Sequence, residues 1–197
     1  MKMQSHFAGI LSALTLAMMP LWQAHAADEV TDEELSSAPV IVDATEWVAV
    51  LSPTEGNQAA GVVTFKSAGK GKVEIKADIS GLSPNSKHAI HVHQYGDLTS
   101  KDGKSAGDHY NPLGHQHALP DQKVRHAGDF GNLEADANGN ATMTLVVSNI
   151  SLAGQLSPVI GRALVVHAKV DDGGQPSGNA GDRIAVGVIG VRNPKDK

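Results

Sequence analysis

The chain has 197 residues, room for one domain plus a short processed segment, with 41% hydrophobic and 19% charged residues as in an ordinary soluble globular protein. A formal charge of -5 argues against a protein that tracks a phosphate backbone, and the lack of any cysteine leaves no disulfide frame and no thioether lipid anchor. Aromatics are 4% of the chain, so a core must be built from Val, Ile, Leu and Ala, and the ten histidines are the one conspicuous excess.

Residues 1–26 have the layout of a secretory signal peptide. Lys2 is the positive start, and the apolar run from Phe7 to Met19 is short for a bilayer span. Pro20 follows, and Ala24-His25-Ala26 is a small-residue cleavage pattern. An uncleaved anchor helix is the other reading of this run. Export makes the periplasm or the outside of the cell the expected location, with no membrane and no nucleic-acid partner. Residues 27–42 crowd Asp28, Glu29, Asp32, Glu33 and Glu34 and read as an acidic flexible lead-in, unless Thr31 to Leu35 starts a helical turn.

Short segments of strand character then begin. Ala44 to Leu51 is the first and Gly61 to Ser67 the second, with a turn at Ala68-Gly69-Lys70-Gly71. Val73 to Ile79 alternates strictly, with Val73, Ile75, Ala77 and Ile79 on one face and Glu74, Lys76 and Asp78 on the other, the period of a half-buried strand. Ala89 to Tyr95 is the next strand. Residues 96–128 have no sustained period, and a stretch that long in a compact domain is functional or disordered; its histidines argue for function. Phe130 to Ala135, Asn140 to Ser148, Ala163 to Lys169 and Ile184 to Val191 complete the strands. Asn138-Gly139 predicts a hairpin turn, and Asp171 to Arg183 a second, glycine-rich loop. The expected fold is all-β, about eight antiparallel strands in a sandwich or barrel carrying two long functional loops. One domain spans residues 43–193 and a tail covers 194–197.

The chemistry lies in the histidines. His91-Val92-His93 on a strand places two imidazoles on one face. Alone, that pattern is more often structural. His109, His117 and His126 follow in the long loop, Asp129 comes three residues after His126, and His167 ends a strand. Six nitrogen donors and one carboxylate exceed one mononuclear site and suit two. An all-nitrogen set favours Cu(II), and three His with one Asp make a closed zinc shell. His115 and His117 could each reach the zinc.

His91-Val92-His93-Gln94-Tyr95-Gly96-Asp97 resembles the copper-binding strand of Cu/Zn superoxide dismutases. Four further segments resemble that family in order: Ser105 to Leu113, Arg125 to Asn132, Gly161 to Lys169 and Gly178 to Arg183. The resemblance covers about residues 44 to 192 and implies a Greek-key barrel. It implies copper held by His91, His93, His109 and His167, and zinc held by His109, His117, His126 and Asp129. The family spacing of eight residues after the bridging histidine selects His117 over His115, leaving His88 and His115 as exposed or locally bonded. Asp171 is implied as a carboxylate linking ligands of the two metals, though Asp171-Asp172-Gly173 is also turn chemistry. Arg183 is implied as the arginine that guides superoxide; an ion pair with Asp182 is the plainer alternative.

The implied activity converts superoxide to dioxygen and hydrogen peroxide by Cu(II)/Cu(I) cycling, with His109 supplying a proton and zinc in a structural role. A non-catalytic protein that buffers periplasmic copper or zinc is the alternative on the same fold, and a copper-only enzyme is disfavoured by the complete zinc set. The chain departs from the family in three places. The usual disulfide is absent, with Val186 where its second cysteine would be. The loop from Gly173 to Asp182 is short. Leu98 to Lys104 differs where dimer contacts often lie, so a homodimer is left open.

Overall fold

The structure is a computed structural model that describes residues 44–154 and 156–193. The expected signal peptide, acidic lead-in and tail lie outside the described residues. Eight strands form: β1 (Glu46–Pro53), β2 (Ala60–Ser67), β3 (Val73–Ser80), β4 (Lys87–Val92), β5 (Asp129–Glu134), β6 (Ala141–Val147), β7 (Ala163–His167) and β8 (Arg183–Val191). They pair in the order β5-β4-β7-β8-β1-β2-β3-β6, every pairing antiparallel. The jumps from β4 to β7 and from β3 to β6 are Greek-key crossings. β5 and β6 end that order and are joined by a short turn, so the sheet curls into a nearly closed barrel. Among the described residues no helix is long and apolar enough to cross a membrane.

Period-two patterning builds the interior. Val73, Ile75, Ala77 and Ile79 of β3 are all buried, while Lys76, Asp78 and Ser80 are exposed. Phe65 of β2 and Phe130 of β5 meet inside the barrel with ring centroids 6.4 Å apart. Fully burying such a side chain is worth about 1.5–3 kcal/mol, an upper value because the unfolded chain already hides some surface.

β4 and β7 break the alternation in an informative way. All five residues of β7, and all of β4 except Lys87, are buried. Their inward residues Ile90, Val92, Leu164 and Val166 join the barrel core. Their outward residues are covered too, because the long loops lie over this side of the wall. Ala163 and Val165 pack outside the core with Ala106 and Val186. His91, His93 and His167 face the same covered layer. A strand buried on both faces is ordinary in a sheet covered on both sides; here the cover consists of loops.

Two expectations are corrected. The strand expected over Ala89 to Tyr95 is Lys87–Val92. Beyond it the Gln94 and Tyr95 N–H groups donate to Asp108 and Ala106 carbonyls, so the chain leaves the sheet to hold the loop. The Asn138-Gly139 turn forms, with Gly139 at φ 77° and Asp136 Oδ1 accepting the Asn138 and Asn140 N–H groups. It does not close a hairpin, because β5 pairs with β4 and β6 with β3. Turn chemistry fixes the reversal, and the partners of the two strands are set elsewhere in the barrel.

Candidate metal centre

Backbone pairing brings the site residues together two at a time. His91 stands opposite Asp129 in the β4–β5 register. His93 bridges to His109 of the long loop. His167 stands opposite Arg183 in the β7–β8 register, beside a shift after Val166. The loop between β4 and β5 adds His117 and His126, and the loop before β8 adds Asp171. Two groups result, each with all donor atoms within 4.8 Å of one another: His91, His93, His109 and His167; and His109, His117, His126 and Asp129. A third group, His91, His117 and Asp171, joins them.

Second hydrogen bonds fix which nitrogen each ring presents. A carbonyl can only accept, so the ring nitrogen facing it carries the proton and the other keeps its lone pair. His93 Nδ1 donates to Gly107 O at 2.9 Å and His167 Nδ1 donates to Gly181 O at 3.2 Å. Their Nε2 atoms then face each other 3.2 Å apart as two lone pairs. Neutral imidazoles in that arrangement cannot bond to each other, and a cation between them removes the conflict. His91 Nε2 donates to Asp171 Oδ2 at 2.8 Å, which leaves its buried Nδ1 without a partner.

The second group has the same logic. Asp129 Oδ2 accepts the backbone N–H groups of Ala118 at 3.2 Å and His126 at 3.0 Å. Its Oδ1 faces Nδ1 of His109 at 3.0 Å, of His117 at 3.0 Å and of His126 at 3.2 Å. Bonds of about 2.0 Å to a tetrahedral zinc place ligand atoms about 3.3 Å apart. His117 and His126 Nδ1 have no other partner. The donors therefore fit a closed N3O zinc shell beside an all-nitrogen copper set, with His109 in both.

Electrostatics treat the two groups differently. Burial pushes His91 down to about 4 and His167 down to about 3, and holds His93 well below its ordinary value, so these three rings are neutral and ready to ligate. Burial also works against charge on His117, but Asp129 and Asp171 flank the ring and hold it up at about 9. Burial alone would raise Asp129, yet the surrounding imidazoles His109, His117 and His126 keep it well below the usual carboxylate range.

Asp171 both links and turns. Its two oxygens accept from His91 and His117, and Oδ1 also accepts the Gly173 N–H at 2.9 Å. Gly178, at φ 76°, lets the second loop close over it, since a Cβ there would lie 2.2 Å from Asp171 Oδ1. Arg183 does not pair with Asp182. Its Nη1 and Nη2 donate to the Gly103 and Gly107 carbonyls, each at 2.5 Å. It lines a funnel of about 580 Å³ with His93, His109 and His167.

Sequence reasoning passed over three supporting side chains. Asn132 exchanges bonds with Asp171, donating to its carbonyl at 2.9 Å and accepting its N–H at 2.7 Å. Gln175 does the same for His117, donating to its carbonyl at 2.7 Å and accepting its N–H at 3.2 Å. His88, set aside as exposed or locally bonded, is buried; it lies 2.7 Å from Ser86 Oγ and bonds across to the His167 carbonyl at 2.9 Å. No spacing rule marks such residues, because their partners are distant in the chain. His115 stays outside both donor groups, half-buried at the funnel with Nδ1 donating to Arg125 O at 3.1 Å.

Comparison with known proteins gives the same answer. The copper/zinc superoxide dismutase (SODC) family matches residues 59–189. The chain belongs to the copper/zinc superoxide dismutase family. It is 47% identical over 157 residues to a Cu-Zn superoxide dismutase of Paramecium bursaria Chlorella virus 1, covering 76% of this chain and 81% of that protein. It is 45% identical over 155 residues to an extracellular Cu-Zn superoxide dismutase of Onchocerca volvulus, covering 73% of this chain and 75% of that one. As a member of this family, the chain is an oxidoreductase that converts superoxide to dioxygen and hydrogen peroxide. Copper and zinc are its cofactors.

Proposed function

We propose that this superoxide dismutase holds copper through His91 Nδ1 and the Nε2 atoms of His93, His109 and His167, and zinc through Nδ1 of His109, His117 and His126 with Asp129 Oδ1. The observation that carries this is the pair of opposed Nε2 lone pairs on His93 and His167, 3.2 Å apart. Copper, when bound, supplies the one-electron cycling that dismutation needs, which zinc cannot.

The protein's own groups do the rest. The Arg183 guanidinium, held by the two loop carbonyls, draws the anion into the funnel and orients it. His109 Nε2, when it is not engaged by copper, would hold one of the two protons that the second superoxide needs to become hydrogen peroxide, the other coming from solvent. Asp171 fixes the rings of His91 and His117, one from each donor group, and so sets their tautomers.

Loaded with both metals, the wild-type protein should dismutate superoxide, and His167→Ala should abolish turnover while leaving zinc binding intact. A fully loaded wild type no faster than free copper would overturn the reading.

The proposal extends to where the protein works. Residues 1–26 are removed on export, residues 27–42 lead into the domain over 43–193, and the product is periplasmic or secreted. The extracellular relative supports this. The mature protein pairs as a homodimer and needs neither membrane nor nucleic acid; exposed Val50 and Val188 on neighbouring strands β1 and β8 support pairing. N-terminal sequencing should find a start near Ala27, and sedimentation should find a pair. A retained Met1, or a single copy at micromolar concentration, would contradict these parts.

A further inference from the structure

Asp108 directly precedes His109 and lines the same funnel as His93, His167 and Arg183. Its backbone is pinned by Gln94, whose N–H donates to Asp108 O at 2.9 Å and whose Oε1 accepts the Asp108 N–H at 3.3 Å. The carboxylate takes no part in this, and it is exposed at the mouth. Histidines aside, Asp108 and Arg183 are the formally charged side chains among the described residues lining the funnel. Arg183 Nη2 donates to the carbonyl of Gly107, so the guanidinium is held against the backbone one residue before Asp108. Asp108 and Asp102 are the carboxylates whose charges bear on the guanidinium, and of the two only Asp108 lines the funnel.

The structure assigns Asp108 to the control of anion entry: its negative charge at the mouth partly cancels the field of Arg183, slowing superoxide and discriminating more strongly against dianions. This rests on the reading that copper sits among His91, His93, His109 and His167 with Arg183 as anion guide. A charge at the lip acts on every anion that enters, and its energy scales with the anion's charge. A dianion such as phosphate therefore meets about twice the penalty of superoxide. The funnel accepts a small monoanion somewhat below its best rate and keeps multiply charged anions off the copper. The side chain bonds to nothing that holds the fold, so its removal alters the field and not the scaffold.

The test uses the metal-loaded enzyme at low ionic strength. Asp108→Asn should raise kcat/KM for superoxide about two- to threefold. Azide titrated optically onto the copper should bind about two- to threefold more tightly, and phosphate about four- to ninefold more tightly. Asp108→Glu should behave as wild type. Asp78→Asn removes the same charge from β3, in the half of the barrel that carries no site residue, and should change neither quantity measurably. The gap between Asp108→Asn and wild type should close as salt shortens the screening length to about 3 Å at 1 M. Equal effects of Asp108→Asn and Asp78→Asn, a gap that persists in high salt, or unchanged azide affinity would each overturn the assignment. Azide binding needs copper but not turnover. An inactive wild type would therefore refute the proposed function while the azide series still decided the role of Asp108.

Discussion

His93 and His167 show how little freedom the site leaves its donors. Each ring is tied by Nδ1 to a carbonyl, from Gly107 and Gly181, and neither can turn without losing that bond. The titration behaviour that follows is specific. His91 and His167, lowered to about 4 and about 3, stay neutral in the folded protein where unfolded histidines at about 6.5 take up protons. Their contribution to stability is present above about pH 6.5 and lost as pH falls towards 4. His117, raised to about 9, has the opposite sign: its contribution is complete below about 6.5 and is lost as pH rises through 9. After chelation of both metals, the thermal midpoint should peak near about pH 6.5 and decline on both sides. A midpoint that climbs steadily from pH 5 to 9 would contradict these assignments. At this scale the sequence was most readable, because His, Asp and Arg announce their chemistry and the five ordered segments gave each a role. Asn132 and Gln175 were unreadable for the converse reason: an amide in a loop has no chemistry until its partner is known.

The elements explain how the loop between β4 and β5 is held without a disulfide. Gly103, at φ 73°, lies against Val186 of β8, where an added Cβ would be 2.8 Å from Val186 Cγ1. Arg183, three residues before Val186, ties the Gly103 and Gly107 carbonyls to the same strand. Close packing and a clamp by two hydrogen bonds therefore stand where a covalent link would be. Gly103→Ala should cost about 1–2 kcal/mol from the left-handed backbone alone, with the clash on Val186 added. It should also lower turnover by displacing Arg183, and Arg183-dependent anion binding should weaken with it. A variant as stable and as active as wild type would remove Gly103 from this account. Element boundaries were legible within a few residues, and the longest error, at Tyr95, falls where the chain trades sheet pairing for loop pairing. Apolar periodicity reports burial, and burial by a loop looks the same in sequence as burial by a strand.

Across the whole molecule, function occupies one side of the barrel wall. β4, β5, β7 and β8 carry or flank the donors, and β1, β2, β3 and β6 close the core behind them. The strand count and the two loops could be read from alternation and turn residues, whereas the Greek-key arrangement came only from the family resemblance, since nothing local distinguishes the β3–β6 partnership from a β5–β6 hairpin. That order is what sets His91 opposite Asp129 and His167 opposite Arg183, so the topology assembles a centre that the sequence distributes over four strands and two distant loops. The account stands or falls on His109 facing two metals at once. Anomalous diffraction from crystals of the loaded protein, recorded at the copper and zinc edges, tests this directly. Copper should lie among His91, His93, His109 and His167, and zinc among His109, His117, His126 and Asp129, on opposite sides of the His109 ring. Either metal elsewhere, or a His109 ring in contact with neither, would contradict it.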